Sequence, residues 1–422
     1  MIVLLAGATG FIGSRVARAL RAAGCTVRET RRQGGGGQEI VAADFSREIS
    51  VAQWQEKLVG VDVVVNAVGI IRERPGQSFE QLHEKAPIAL FRACVAAGVA
   101  HIVQISALGA DDGTSRYFTT KHRADQVLES LPITTTIVQP ALVYGRAGTS
   151  ARLFDMLASL PVIAVPGRGE QRIQPVHIDD LIDTIVRAVA TPPAGHRKLI
   201  VAGARPLTFR DYLQTLRRSL GLRRALVFRI PIGLMRFAAR LAGLLPRSLL
   251  DPETLAMLEK DNVGSNAQMS HLLGRPPRPP EAFIAPDERS SALLAARMTW
   301  LLPLLRFSVA AVWIWTAIVS FGLYPVEDSY ALLAAVGVPA ALRPLMLYGA
   351  AALDAGFGVA TLVLRRRRPL WLAQMALIVG YTIIISVKLP EFWLHPYGPL
   401  LKNLPMLAAI YLLYALEPVD DR

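Results

Sequence analysis

Three glycines spaced three apart, Gly7, Gly10 and Gly13, follow directly on the apolar run 2–6 and precede a helical pattern. A chain that must turn sharply, admit a phosphate to its backbone and start a helix close against a sheet needs positions without side chains. The helix that follows presents unpaired N–H groups and the positive end of its dipole, so the expected ligand is the diphosphate of a dinucleotide. A second pattern, Tyr117-x-x-x-Lys121, sets a phenol and an ammonium on one helical face. There the ammonium favours the tyrosinate and brings a group of reference pKa about 10 toward acid–base work. Ser106, at the end of the apolar stretch 101–106, is placed to hydrogen-bond a substrate carbonyl or alcohol.

These residues need a scaffold that brings strand ends together. Apolar runs at 2–6, 26–30, 61–67, 101–106, 135–139 and 199–202 alternate with helical patterns, the first of them at 14–23. The alternation predicts an α/β Rossmann fold, a doubly wound parallel sheet with helices on both faces. Residues 204–273 are mostly helical and basic, as in a small substrate lobe spanning 145–290, and the proline-rich stretch 276–286 reads as a linker. The glycine run 34–37 reads as a loop after the second strand. The expected domains are 1–290, binding nucleotide, and 291–422.

The second part is a different kind of protein. Of 422 residues 52% are hydrophobic and 19% charged, and the excess lies beyond residue 300. Crossing a bilayer takes about 20 apolar residues. Stretches 307–324, 344–364 and 369–387 qualify, and 403–416 does so once 400–402 is added with Lys402 snorkelling, so an all-α four-helix transmembrane bundle is expected. The loop Arg365-Arg366-Arg367-Arg368 sets the topology, because basic loops stay on the cytoplasmic side. The loops around Glu327 and His395 then lie outside, and both termini and the nucleotide domain are cytoplasmic, at the inner membrane. Asp354 falls mid-span, where a carboxylate needs a partner. A structural pair with Arg306 is the expectation, a proton or ligand site the alternative, with Ala352, Gly356 and Ala360 as the ridge on which a neighbouring helix packs.

The apolar start has no basic leader, and the two cysteines, Cys25 and Cys94, suggest no disulfide framework. The net charge of +13 points to the bilayer rather than to nucleic acid. The stretch 229–247 sets Arg229, Arg236, Arg240 and Arg247 at helical spacing among apolar residues, as either an interfacial helix or a buried one would. His177, Asp179 and Asp180 read as a helix cap by an aspartate, and no histidine spacing suits a metal, so no metal site is expected.

Several segments carry a family resemblance. GATGFIG (7–13), VVVNAVG (63–69), HIVQISALGAD (101–111), QPALVYGRAG (139–148) and QPVHIDDL (174–181) resemble the extended and atypical branch of the short-chain dehydrogenase/reductases, near the dehydrogenase-like accessory subunit of respiratory complex I. WLHPYGPLLKNLP (393–405) resembles the DoxX-like membrane family. The resemblance implies Tyr117 as general acid–base, Lys121 as its activator and ribose ligand, and Ser106 as the substrate-orienting hydroxyl. It implies cofactor contacts from Gly7, Thr9, Gly10, Phe11, Ile12, Gly13, Phe45, Ala67, Val68, Gly69 and Pro140 as well, while Asp44 reads either as a contact to the adenine or its loop or as a plain turn-forming residue. Lys85 stands where many relatives have asparagine, and Gln139 where arginine is common. At the end of the second strand, Arg31 and Arg32 suit the 2′-phosphate of NADP, while Glu29 keeps NAD open.

The expected activity is a membrane-anchored NAD(P)-dependent oxidoreductase, using NADPH on a carbonyl or alcohol of a lipophilic or quinone-like substrate. Sugar-nucleotide epimerisation or dehydration, and a nucleotide-bound assembly role without turnover, are the alternatives. Expected partners are the bilayer, a small lipophilic substrate and a respiratory or other membrane protein.

Overall fold

The computed structural model describes residues 1–32, 39–47, 50–113, 115–243 and 252–418, in two units, Met1–Ala296 and Arg297–Arg422. The glycine run 34–37 and Arg247 lie outside the described residues. In the first unit, β1 (Ile2–Ala6), β2 (Thr26–Arg31), β3 (Ile40–Ala42), β4 (Val63–Asn66), β5 (His101–Ile105), β6 (Thr134–Pro140) and β7 (His196–Val201) form one parallel sheet. Its order is β7-β6-β5-β4-β1-β2-β3. Every residue of β4 and β5 is buried, as unbroken apolar runs must be when helices cover both faces of a sheet. The strand order reverses between β1 and β4, and in such sheets the crevice at the strands' carboxyl ends there receives the ligand.

Helices α1 (Gly13–Ala22), α2 (Ala86–Ala96), α3 (Arg116–Ser130), α4 (Thr149–Ser159), α5 (Ile178–Ala190) and α6 (Phe209–Ser219) complete this unit's main frame. On one face Val16 and Leu20 of α1 pack with Leu181 and Ile185 of α5; on the other, Leu90 and Phe91 of α2 pack with Ala124 and Leu128 of α3. The edge strand β3 escapes the sequence pattern because three residues show no period. The first helix opens at Gly13, after a tight turn in which Gly10 N donates to Gly7 O at 2.9 Å.

The lobe beyond β6 differs from expectation in two places. Residues 276–286 are no linker: Phe283 and Ile284 are buried with Phe209, Tyr212 and Leu216, and Ser219 Oγ donates to Glu281 O at 3.1 Å. Two large apolar side chains among the prolines gain about 2–3 kcal/mol each by that burial, which holds the segment down. The stretch from 229 is not helical throughout either. Leu226–Ile230 is a strand paired in parallel with Val162–Pro166, and the helix begins at Ile232.

The second unit is helical, containing most of α7 (Arg289–Ile318), then α8 (Arg343–Val363), α9 (Arg368–Lys388) and α10 (Asn403–Leu416). Three apolar helical segments, Pro286–Leu323, Ala340–Val363 and Arg368–Lys388, are long enough to cross a membrane, and Asn403–Leu416 is shorter. Part of the loop expected around Glu327 is helix, Val326–Ala335. The buried face of α8 carries Ala351, Asp354, Gly358 and Thr361. Ala352 and Gly356 are exposed, because they lie across the helix from Asp354 and cannot be buried together with it. The close approach falls instead at Gly358, where a Cβ would meet Ile314 Cγ1 at 2.5 Å and Ala310 O at 3.2 Å.

The expected pair between Asp354 and Arg306 does not form. Arg306 Nη2 lies 3.2 Å from Glu417 Oε2, and Arg367 Nη1 lies 3.4 Å from Glu417 Oε1. Glu417 directly follows α10 and Arg367 directly precedes α9, and Arg306 of α7 reaches the same carboxylate, whereas Asp354 lies about two and a half turns in from the end of α8.

Candidate active site

The glycine loop is closed by steric necessity. Gly7 has φ +81°, and a Cβ there would lie 2.8 Å from the backbone of Ala67. Gly13 is as constrained, since a Cβ would run into Gly7 O. The turn therefore leaves a cradle of backbone N–H groups at the head of α1, which fits the diphosphate of a dinucleotide. Phe11 does not cap the cradle alone: its ring lies 2.8 Å from where a Gly145 Cβ would stand, beside Ile178, so segments 139–148 and 174–181 meet the loop. Ile12 is the residue preceding α1.

Beside the loop, a cavity of ≈ 440 Å³ is lined by Thr9, Ser14, Arg18, Arg21, Glu29 and Arg31. Glu29 is bonded to Arg21 at 2.8 Å and to Arg31 at 3.0 Å. Burial raises its pKa, but the bonds to the two guanidinium groups outweigh that and hold it below the usual carboxylate range. Arg31 is thus tethered inside the chain, and Arg32 lies near Asp44. Asp44 itself accepts from Ser46 N at 3.0 Å and Ser46 Oγ at 2.7 Å, the bonds of a local turn. Phe45 is a core residue, 5% exposed and edge-on to Trp54 at 5.2 Å.

The loop after β4 is pinned from two sides. Asn66 Oδ1 accepts from Val68 N at 3.2 Å, Ala67 N donates to Ala6 O at 2.9 Å, and Ile70 N donates to His83 Nε2 at 3.0 Å. The space over Gly69 is shared: a Cβ there would lie 3.6 Å from His83 Nε2 and 3.7 Å from Lys121 Nζ. The His83 ring stands edge-on to Tyr117 at 5.2 Å, and Lys121 Nζ is 5.6 Å from the Tyr117 ring centre. Gly69, Tyr117, Lys121 and His83 therefore converge.

His83 escaped sequence reasoning, since a single histidine among helix formers has no spacing to mark it. It sits in a π-helical turn, Glu80–Lys85, a deformation that often marks functional sites. That turn sends Lys85 to the surface, bonded to Glu80 at 2.7 Å, and buries His83. Burial and the nearby Lys121 hold His83 neutral, its pKa lowered to about 2.

Electrostatics at the tyrosine run against the simple expectation. Burial, reinforced by Asp125, pushes the Tyr117 phenol up to about 12. Lys121 is 4% exposed, donates to Ile105 O at 3.1 Å, and is lowered by burial to about 8 although Asp125 opposes that. Desolvation thus exceeds the effect of the ammonium on the phenol. Ser106 is turned inward, its hydroxyl donating to Asp125. Gln139 donates to Asp111 at 3.1 Å, and Pro140, buried in β6, accepts from Leu108 N at 2.9 Å. At α5 the cap is His177, which accepts from Asp179 N at 3.3 Å. Asp180 instead pairs with Arg275 at 2.7 Å, its complete burial demanding a full charge partner.

Residues 7–159 match the NAD(P)H-binding family, and residues 310–411 match the DoxX-like family. The chain joins an NAD(P)H-binding domain to a DoxX-like domain. A ceramide reductase of Caulobacter vibrioides is 25% identical over 202 residues, 46% of this chain and 62% of that protein. The mitochondrial NADH-ubiquinone oxidoreductase 40 kDa subunit of Neurospora crassa is 29% identical over 186 residues, 42% of this chain and 48% of the subunit. The matches thus span about half to three fifths of these relatives. In fold, the UDP-glucuronic acid 4-epimerase of Bacillus cereus, solved with UDP-glucuronic acid and NAD, superposes with TM-score 0.51 at 18% identity. It covers 71% of this chain and all of the epimerase, 100%.

Proposed function

We propose that this chain is a membrane-spanning oxidoreductase that uses NADPH on a carbonyl or alcohol of a lipophilic substrate. The observation that carries the reading is the convergence of Tyr117, Lys121, His83 and Gly69 at the strand ends where the glycine loop opens. The nicotinamide, when bound, supplies or accepts the hydride. Tyr117 holds its proton up to about 12, which suits it to donate to a carbonyl oxygen as that oxygen gains charge. Lys121 binds ribose hydroxyls and stabilises the phenolate left behind. His83, neutral, keeps the loop at 67–70 in register with both.

The arginines around the cavity, Arg18, Arg21 and Arg31, support NADPH, whose 2′-phosphate they would neutralise. The ceramide reductase likeness supports a long-chain lipid substrate, and the DoxX-like helices support delivery of that substrate from the bilayer. The basic loop at 365–368 supports a cytoplasmic nucleotide domain with both termini inside. Exposed Leu226, Phe228, Leu234 and Phe237, near Arg229 and Arg236, support contact with the inner membrane surface. The likeness to the 40 kDa subunit supports a respiratory or other membrane-protein partner. The turning of Ser106 toward Asp125 favours a second reading, a bound nucleotide without turnover.

One experiment separates the two. Purified full-length protein in lipid nanodiscs is given NADPH and a total membrane lipid extract, and cofactor oxidation is followed. Turnover is expected, and Tyr117→Phe should lower it at least about 100-fold with NADPH affinity retained, since only the transferable proton is removed. Cofactor that stays reduced with the unaltered protein would reject the oxidoreductase reading.

A further inference from the structure

Among the described residues of the helical unit, and apart from the Nε atoms of Arg306 and Arg368, three buried side-chain polar atoms have no partner: Trp313 Nε1, Asp354 Oδ1 and Gln374 Oε1. Their residues are 6%, 6% and 0% exposed. Satisfying a buried polar group is the general rule, and each exception costs about 1–3 kcal/mol. Three such atoms in one small helical unit ask for a common explanation.

They line a single seam. Gln374 Nε2 donates to Thr361 Oγ1 at 2.8 Å, tying α9 to α8. Seven residues along each antiparallel helix from that bond lie Asp354 and Tyr381, which are within electrostatic reach of each other. Between the two levels, Trp313 of α7 stands edge-on to Phe357 of α8 at 5.2 Å. Seven residues of α-helix rise about 10 Å, so the seam is about that long. Thr361 spends its own proton on Phe357 O at 2.8 Å and satisfies none of the three.

We propose that this seam is a binding site for an amphiphile whose polar group offers two hydrogen-bond donors and one acceptor, of the class of N-acyl amino alcohols. Its hydroxyl and amide N–H bond to Asp354 Oδ1 and Gln374 Oε1, and its carbonyl accepts from Trp313 Nε1. The ligand arrives from lipid, because the outer faces of these helices are apolar, with Leu345, Val359, Ile383 and Leu404 exposed. This rests on the unit lying in a bilayer and is independent of turnover in the nucleotide domain.

The test uses full-length protein in phosphatidylcholine nanodiscs and two photoactivatable probes with the same diazirine-bearing C16 acyl chain, an N-acylethanolamine and a methyl ester. The ethanolamide is expected to cross-link saturably to peptides of α7, α8 and α9, and the ester, which has no donor, at least about ten-fold more weakly. Trp313→Phe keeps the ring against Phe357 and should weaken the ethanolamide about ten-fold, the effect of one buried hydrogen bond. Asp354→Leu should abolish saturable labelling while melting no lower than the parent, since its carboxylate has no protein partner; Gln374→Leu should abolish labelling too, although it also breaks the bond to Thr361. Equal labelling by both probes overturns the proposal, as does labelling unchanged in the variants. Melting of Asp354→Leu well below the parent also overturns it, by showing that carboxylate to be structural. Recovery of the protein in the aqueous fraction after carbonate extraction would instead reject the bilayer reading.

Discussion

Lys121 is the residue on which the site's response to pH turns. Burial lowers it to about 8 while Asp125, itself raised by burial to about 6, partly holds it up. In the unfolded chain it titrates at 10.5. Below about 8 the folded and unfolded chains both carry its proton, and folding bears the full cost of burying the charge. Between about 8 and 10.5 the unfolded chain holds more protons, so this residue's contribution makes stability rise with pH across that window. Function moves the other way, because a neutral amine binds ribose and phenolate less well. Turnover and NADPH affinity should therefore fall as pH rises through about 8. Asp125→Asn keeps an acceptor for Ser106 but removes the negative charge, so the alkaline limb should move to lower pH; a limb that stays in place would mean that another group titrates. Tyr117 and Lys121 were legible as a pair because four residues of helix suffice to align them. His83 was not, since its role comes from a π-helical turn that no residue spacing announces.

Among the elements, the end of β2 and the head of α1 decide cofactor choice together. The double substitution Arg31→Ala and Arg32→Ala should weaken NADPH binding about 10- to 100-fold and NADH binding little, because charge-assisted phosphate contacts are lost only with the former. Fluorescence titration of both cofactors checks this, and equal losses would refute a phosphate role. Glu29, whose carboxylate keeps NAD open on sequence grounds, tethers Arg21 and Arg31 and so preorganises the positive cavity wall. The proline segment behaves similarly. Its composition reads as a linker, but Phe283 stacks on Tyr144 at 4.9 Å, and a buried aromatic outweighs what proline frequency suggests.

At the scale of the molecule, three long apolar helical segments and a four-arginine loop make a strong statement about where the chain resides. Full-length protein should stay in the pellet after alkaline carbonate extraction, and a reporter fused after Arg422 should report from the cytoplasm; a periplasmic signal would reverse the topology. Glu417 strengthens the case for a defined end to α10, since it gathers Arg306, Arg367 and the Trp371 indole, the last at 3.4 Å. A charged cluster of this kind is tolerated where helix ends approach the interface rather than at mid-span.

Whatever depends on neighbours within a few residues was determined by the sequence alone: the β1–glycine loop–α1 cradle, the alternation that builds the sheet, the tyrosine–lysine face and the apolar spans. Strand, turn and helix preferences act locally, and hydrophobic period survives any tertiary arrangement that buries it. Tertiary structure decided which of several competing partners each polar group met. Arg306 could bond to any carboxylate within its reach and met Glu417, 111 residues away, leaving Asp354 unpaired on the buried face of α8. Ser106 could face substrate or core, and the core offered Asp125. Such choices turn on distances across the fold, and a charge's preference falls off over ångströms in space rather than residues in sequence.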